Sequence, residues 1–77
     1  MMTLYAYINA NIDRIRHEVR LGLVPCAVLR HWEIYSRYDA LKKMGFSVCG
    51  AVLTAAADAR MSESSIYKII KRMETEV

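Results

Sequence analysis

An all-α fold of four helices is what this 77-residue chain predicts, and three observations predict it. Apolar residues recur at spacings of three and four, the repeat that gathers side chains on one face of a helix. Gly22, Pro25 and Gly45 fall between those periodic runs, where helices are expected to stop and start. No stretch alternates apolar and polar residues as a half-buried strand does.

The first run extends from about Thr3 to Leu21. Tyr5, Ile8, Ile12, Ile15 and Val19 form its stripe, with Asp13, Arg14, Arg16, His17, Glu18 and Arg20 on the other faces. The stripe is narrow and repeats with heptad-like spacing. It fits packing against the rest of the domain, the reading favoured by so few heptads, and it also fits a seam for a second copy of the chain. Leu21-Gly22-Leu23-Val24-Pro25 then breaks the pattern. Gly22 suits a left-handed C-terminal cap and Pro25 the first turn of the next helix.

That second helix is expected from about Pro25 to Met44. Val28, Leu29, Trp32, Ile34, Tyr35, Tyr38, Leu41 and Met44 cover more than one of its faces, so it should be the central helix with neighbours on two sides. Trp32, Tyr35 and Tyr38 are better explained as core than as a platform for stacking bases. Gly45 closes the helix, Lys42 and Lys43 complement its negative end, and Phe46 is expected to anchor the following loop in the core. Ser47 can cap a third helix from Val48 to about Ala59, with Val52, Ala55, Ala56 and Ala59 inward. Small side chains there let two helix backbones approach where leucine would hold them apart.

The fourth helix begins at a turn. Ser62 is placed to cap it, because a serine oxygen accepts the free N–H groups of the next turn. Met61 packs beneath the corner as a hydrophobic staple does. Ile66 and Ile69 share the buried side to about Met73, while Tyr67, Lys68 and Lys71 lie on another face, with Glu63 and Ser64 near the start.

From Val52 to Arg72, the last third of the chain, this pattern resembles the helix-turn-helix of bacterial and phage regulators, transposases and resolvases. Ala56 falls where that family prefers alanine, Met61 and Ile69 take its buried places, and Ser62-Glu63-Ser64-Ser65-Ile66-Tyr67-Lys68 looks like the opening of its recognition helix. The ending is most similar to phage middle-operon regulators and related mobile-element proteins. Arg60 departs from the pattern, standing where the family usually has glycine in a left-handed conformation.

The resemblance implies a sequence-specific binder of double-stranded DNA, a small bacterial or phage transcriptional regulator. Its recognition helix would run from about Ser62 to Met73. Ser62, Ser64 and Ser65 would meet phosphates or bases near the helix N-terminus. Tyr67, Lys68 and Lys71 would face the groove, and Arg60 or Arg72 the backbone. Glu63 would accept from a cytosine amino group or simply favour the helix start. One domain of this size spans a short site, so a homodimer is expected, with the stripe of Tyr5, Ile8, Ile12, Ile15 and Val19 as its contact. The alternative is a protein-interaction or assembly module that makes no direct contact with DNA.

Composition sets the remaining bounds. The chain suffices for a single domain, an N-terminal helical element over residues 1–24 and a tri-helical unit over 25–77. Its hydrophobic content of 55% is high for its size, which suggests that part of the apolar surface serves a partner or a second copy. The net charge of +3 is compatible with nucleic acid. Cys26 and Cys49 are too few and too far apart for a metal motif, and among apolar neighbours each reads as a small hydrophobe. His17 and His31 stand apart from any ligand cluster. No nucleophile–base pair, glycine-rich phosphate loop or paired carboxylates is visible, so neither catalysis nor a cofactor is expected. No apolar run reaches membrane-spanning length and the N-terminus lacks a signal-peptide pattern, which makes the cytoplasm the expected compartment.

Overall fold

Five helices, rather than four, make up the computed structural model, which describes residues 2–77. They are α1 (Leu4–Ala10), α2 (Ile12–Arg20), α3 (Cys26–Lys43), α4 (Val48–Ala59) and α5 (Glu63–Met73). The added boundary is Asn11, where φ −118° and ψ 22° leave the helical region. Its side-chain Nδ2 donates to the Tyr7 carbonyl at 2.8 Å. A short amide that bonds its own backbone competes with the helix ladder, and here the expected single helix divides. As a result α1 packs on α3 and α5, whereas α2 packs on α3.

The apolar stripe of this region is turned onto the chain's own core. Ile8 and Ile15 are buried, and Tyr5, Ile12 and Val19 pack partly buried against them. In α3, Ile34, Tyr38 and Leu41 are buried, and Val28, Leu29, Trp32 and Tyr35 cover the core from its flanks. Tyr35 lies between Tyr5 and Tyr38, with ring centroids 4.5 and 5.6 Å away. Helix α3 contacts each of the other four helices and is central, as its broad apolar surface predicts.

Alanine matters most in α4. Ala51, Val52, Ala55 and Ala56 are buried, and their small size lets α4 lie against both α3 and α5. Ala59, expected inward, is half-buried at the end of the helix. Ile66, Ile69, Ile70 and Met73 form the buried side of α5. Serine and threonine oxygens cap the starts: Thr3 accepts from the Ala6 N–H, Ser47 from Gly50 and Ser62 from Ser65.

Three helix ends are built alike. At Gly22, Gly45 and Arg60 the backbone turns left-handed. The next residue's N–H reaches back five places, from Leu23 to Glu18, Phe46 to Leu41 and Met61 to Ala56, at 2.9–3.1 Å. That is the Schellman arrangement. The chain ends are also tied together. The Leu4 N–H donates to the Thr75 carbonyl at 2.7 Å and the Val77 N–H to Met2 at 3.1 Å, so the end of α5 is held beside the start of α1.

Two expectations fail locally. Phe46 and Met44 are exposed rather than inward, on either side of the left-handed Gly45 that ends α3. Cys26 and Cys49 are exposed thiols, in the first turns of α3 and α4. Among the described residues no helix is long and apolar enough to cross a membrane.

Candidate nucleic-acid interface

The connection between α4 and α5 is three residues long, and each has a separate physical task. Arg60 turns the chain at φ 56° and ψ 45°. Met61 points in and packs against the core. Ser62 is extended and caps α5. A branched or bulky residue at φ above zero is disfavoured because its Cβ crowds the following carbonyl. Arg60 is the one described residue other than glycine that adopts it.

Beyond the turn the outward side of α5 carries Ser64, Tyr67, Lys68 and Lys71, all exposed. Neither lysine forms an ion pair with any described residue. Arg60 is exposed at the corner, and Arg72 occupies the flank where α5 meets α3. Glu63 is exposed in the first turn. The serines are less free than their positions suggest. The Ser62 hydroxyl lies 2.9 Å from Ser65 Oγ and 3.4 Å from Ser64 Oγ, so the three form a small network at the cap. Ser65 is half-buried toward His31 and Met61, which leaves Ser64 as the serine presented outward.

Two cations outside the expected DNA-contact set belong to this corner, and Arg37, spaced to pair with Glu33, pairs elsewhere. Arg30 donates from Nη2 to the Ala59 carbonyl at 3.1 Å, closing the C-terminal end of α4 where carbonyls lack helical partners. Arg37 pairs with Asp58 at 3.1 Å and ties α3 to the same end. Both reach across some twenty to thirty positions of sequence, a separation that no local spacing rule detects.

His31 of α3 faces the same flank of α5. Its Nδ1 is buried without a hydrogen-bond partner. Desolvation, then the Arg72 and Arg30 guanidiniums, hold it below the ordinary imidazole value of 6.5. On the other side, burial and the Glu74 carboxylate that accepts the Tyr35 O–H at 3.0 Å push the Tyr35 phenol above its ordinary range. Glu74 is thereby engaged with α3.

The sign of the His31 effect is definite. A histidine whose folded pKa is depressed favours the neutral form, so its contribution is present above pH 6.5 and is lost as pH falls below that value. Urea midpoints measured at about pH 7.5 and about pH 5.5 should fall for the native chain and fall less for His31→Gln. Equal losses would show that His31 is not the group responsible.

Arg60→Gly separates two roles of the corner. Glycine relieves the left-handed strain and gives back part of it as unfolded-chain entropy, so the variant should be more stable by roughly 0.5–1 kcal/mol. Thermal unfolding would read this as a rise of several degrees, since about 1 kcal/mol shifts a domain of this size by roughly 4–8 °C. If the guanidinium also touches phosphate, duplex affinity drops in the same variant.

Comparison with protein-family models, with curated proteins and with solved structures found no match to this chain.

Proposed function

We propose that this chain is a small sequence-specific DNA-binding protein of the transcriptional-regulator kind, which lays the outward side of α5 in a major groove. One observation carries the reading. The net charge of +3 resides entirely between Arg60 and Arg72, where Arg60, Lys68, Lys71 and Arg72 stand against Glu63. The other seven cations are matched by seven carboxylates. An otherwise balanced molecule thus presents one concentrated positive field, along a helix whose outer side also carries a serine and a tyrosine able to hydrogen-bond to phosphate or base edges.

Titration of the folded chain with fluorescent duplex DNA at several salt concentrations tests this. Four phosphate contacts predict that log affinity falls with log salt at a slope of roughly −3 to −4 per bound copy. No duplex binding at low salt would overturn the reading. Specific recognition calls for two copies on adjacent half-sites, so the proposal includes a homodimer on DNA.

A second reading, an interaction module without direct DNA contact, is favoured by the exposure of Met44, Phe46, Val48 and Leu53 around α4. The stripe along α1 and α2 is engaged by the core, which leaves these side chains as the larger free apolar surface. Sedimentation of the native chain and of Leu53→Lys checks it. Self-association in the first and its loss in the second, without duplex binding by either, is the outcome this reading expects.

A further inference from the structure

A recess opens between α1, α2, α3 and α5, beside the outward side of α5, and shares Arg72 with it. Its volume is about 320 Å³. Leu4, Ile8, Ile15, Val24, Val28 and Met73 make its floor. An apolar floor of this kind gives water few partners, so an apolar ligand gains by displacing it.

The rim has the opposite character, and its hydrogen bonds say which head group it lacks. Tyr7, Arg14, Glu18, His31 and Arg72 form it. Glu18 is already taken, with its carboxylate 3.5 Å from Arg14 Nε. Arg14 Nη2 donates to Tyr7 Oη at 3.0 Å, which leaves the phenolic proton free to donate elsewhere. Arg72 has no carboxylate partner among the described residues. His31 Nδ1 is buried and unpaired. The unmatched rim groups open to a ligand are therefore a hydroxyl donor and a guanidinium fork. A carboxylate is an acceptor only, with two oxygens suited to a bidentate guanidinium.

We propose that this recess is a binding site for a small amphiphilic carboxylate, with an apolar tail on the Ile8–Ile15–Val28–Met73 floor and its carboxyl group against Arg72 and the Tyr7 hydroxyl. An amine would meet two guanidiniums and lose its solvation, and a neutral alcohol leaves the Arg72 charge without a counter-ion. The site stands on the cavity alone, and its test involves no DNA.

The experiment is an amide-resolved NMR titration of the intact chain with octanoate, octan-1-ol and octylamine in turn. Octanoate should saturate, with the largest shifts at Ile8, Val28, Arg72 and Met73; octanol should bind more weakly at the same place, and octylamine not at all. Arg72→Gln should weaken octanoate by about tenfold, the effect of losing one charged hydrogen-bond partner, and leave octanol unchanged. Tyr7→Phe alters an exposed ring and supplies a second variant should Arg72→Gln not fold. It should weaken octanoate several-fold. Absence of saturation, equal binding of octylamine, shifts centred on Phe46 and Leu53, or octanoate affinity unchanged in whichever of the two variants is folded would each overturn the proposal.

Discussion

Ile66→Ala should destabilise the domain by about 3–4 kcal/mol, within the range found when a large aliphatic side chain is removed from a well-packed core. Ile66 is 0% exposed and sits where α5 meets its neighbours, beside the buried alanines of α4. A chain of this length has a total stability of about 4–12 kcal/mol, so the loss removes a quarter or more of it. The unfolding temperature should drop by more than about 12 °C. One residue further on, Tyr67 is 46% exposed, and Tyr67→Ala should stay within about 0.5 kcal/mol of the native chain. Urea unfolding of the two variants compares a buried and an outward position of one helix. A similar loss in both would mean that α5 is rotated from the orientation described, and Lys68 and Lys71 would no longer form an outward face.

The features legible in the sequence are those set by neighbours a few residues apart. Helix α4 runs from Val48 to Ala59 as its serine cap and alanine pattern predict, and Ser62 caps α5 through the Ser65 N–H. The central position of α3 follows from its apolar breadth. Asn11 is a different case. The stripe through Ile8 and Ile15 continues unbroken across it, so periodicity predicts one helix, and only the competition of its amide for the Tyr7 carbonyl divides it. The inward side of α5 is also wider than Ile66 and Ile69 alone, because Ile70 and Met73 close against the neighbouring elements.

Long-range partners were not legible at all. Arg30 on the Ala59 carbonyl, His31 beside Arg72, and the pairing of the two chain ends depend on which elements the fold brings together. Phe46 shows the converse. Its apolar ring favours burial, yet it follows the left-handed Gly45 at the end of α3 and stays exposed. Within the candidate interface, the lysines and Tyr67 lie outward as their spacing predicts. Ser65 is half-buried and its hydroxyl meets that of the capping Ser62, a contact that helical spacing alone does not reveal.

Replacing Lys68 and Lys71 together by alanine is the change expected to act most strongly on DNA binding. Each cation that neutralises a phosphate contributes about 0.9 to the salt slope, so the double variant should lose roughly 2 units of slope and at least about tenfold in affinity near physiological salt. Folding should not suffer. Both side chains are exposed and lack ion-pair partners among the described residues. They stand three apart as like charges, and alanine is the better helix former, so the unfolding midpoint should hold or rise. Opposite movements of stability and affinity in one protein would exclude misfolding as the cause. Lys42→Ala with Lys43→Ala, on the last turn of α3, removes the same charge from a different element. There Lys43 is already paired with Asp39 at 2.9 Å. If the positive face of α5 is what meets DNA, the α3 pair should retain most of the slope that the α5 pair loses. Equal losses would mean that duplex binding reads only the total charge of the molecule, and the assignment of α5 as the helix that enters the groove would fall.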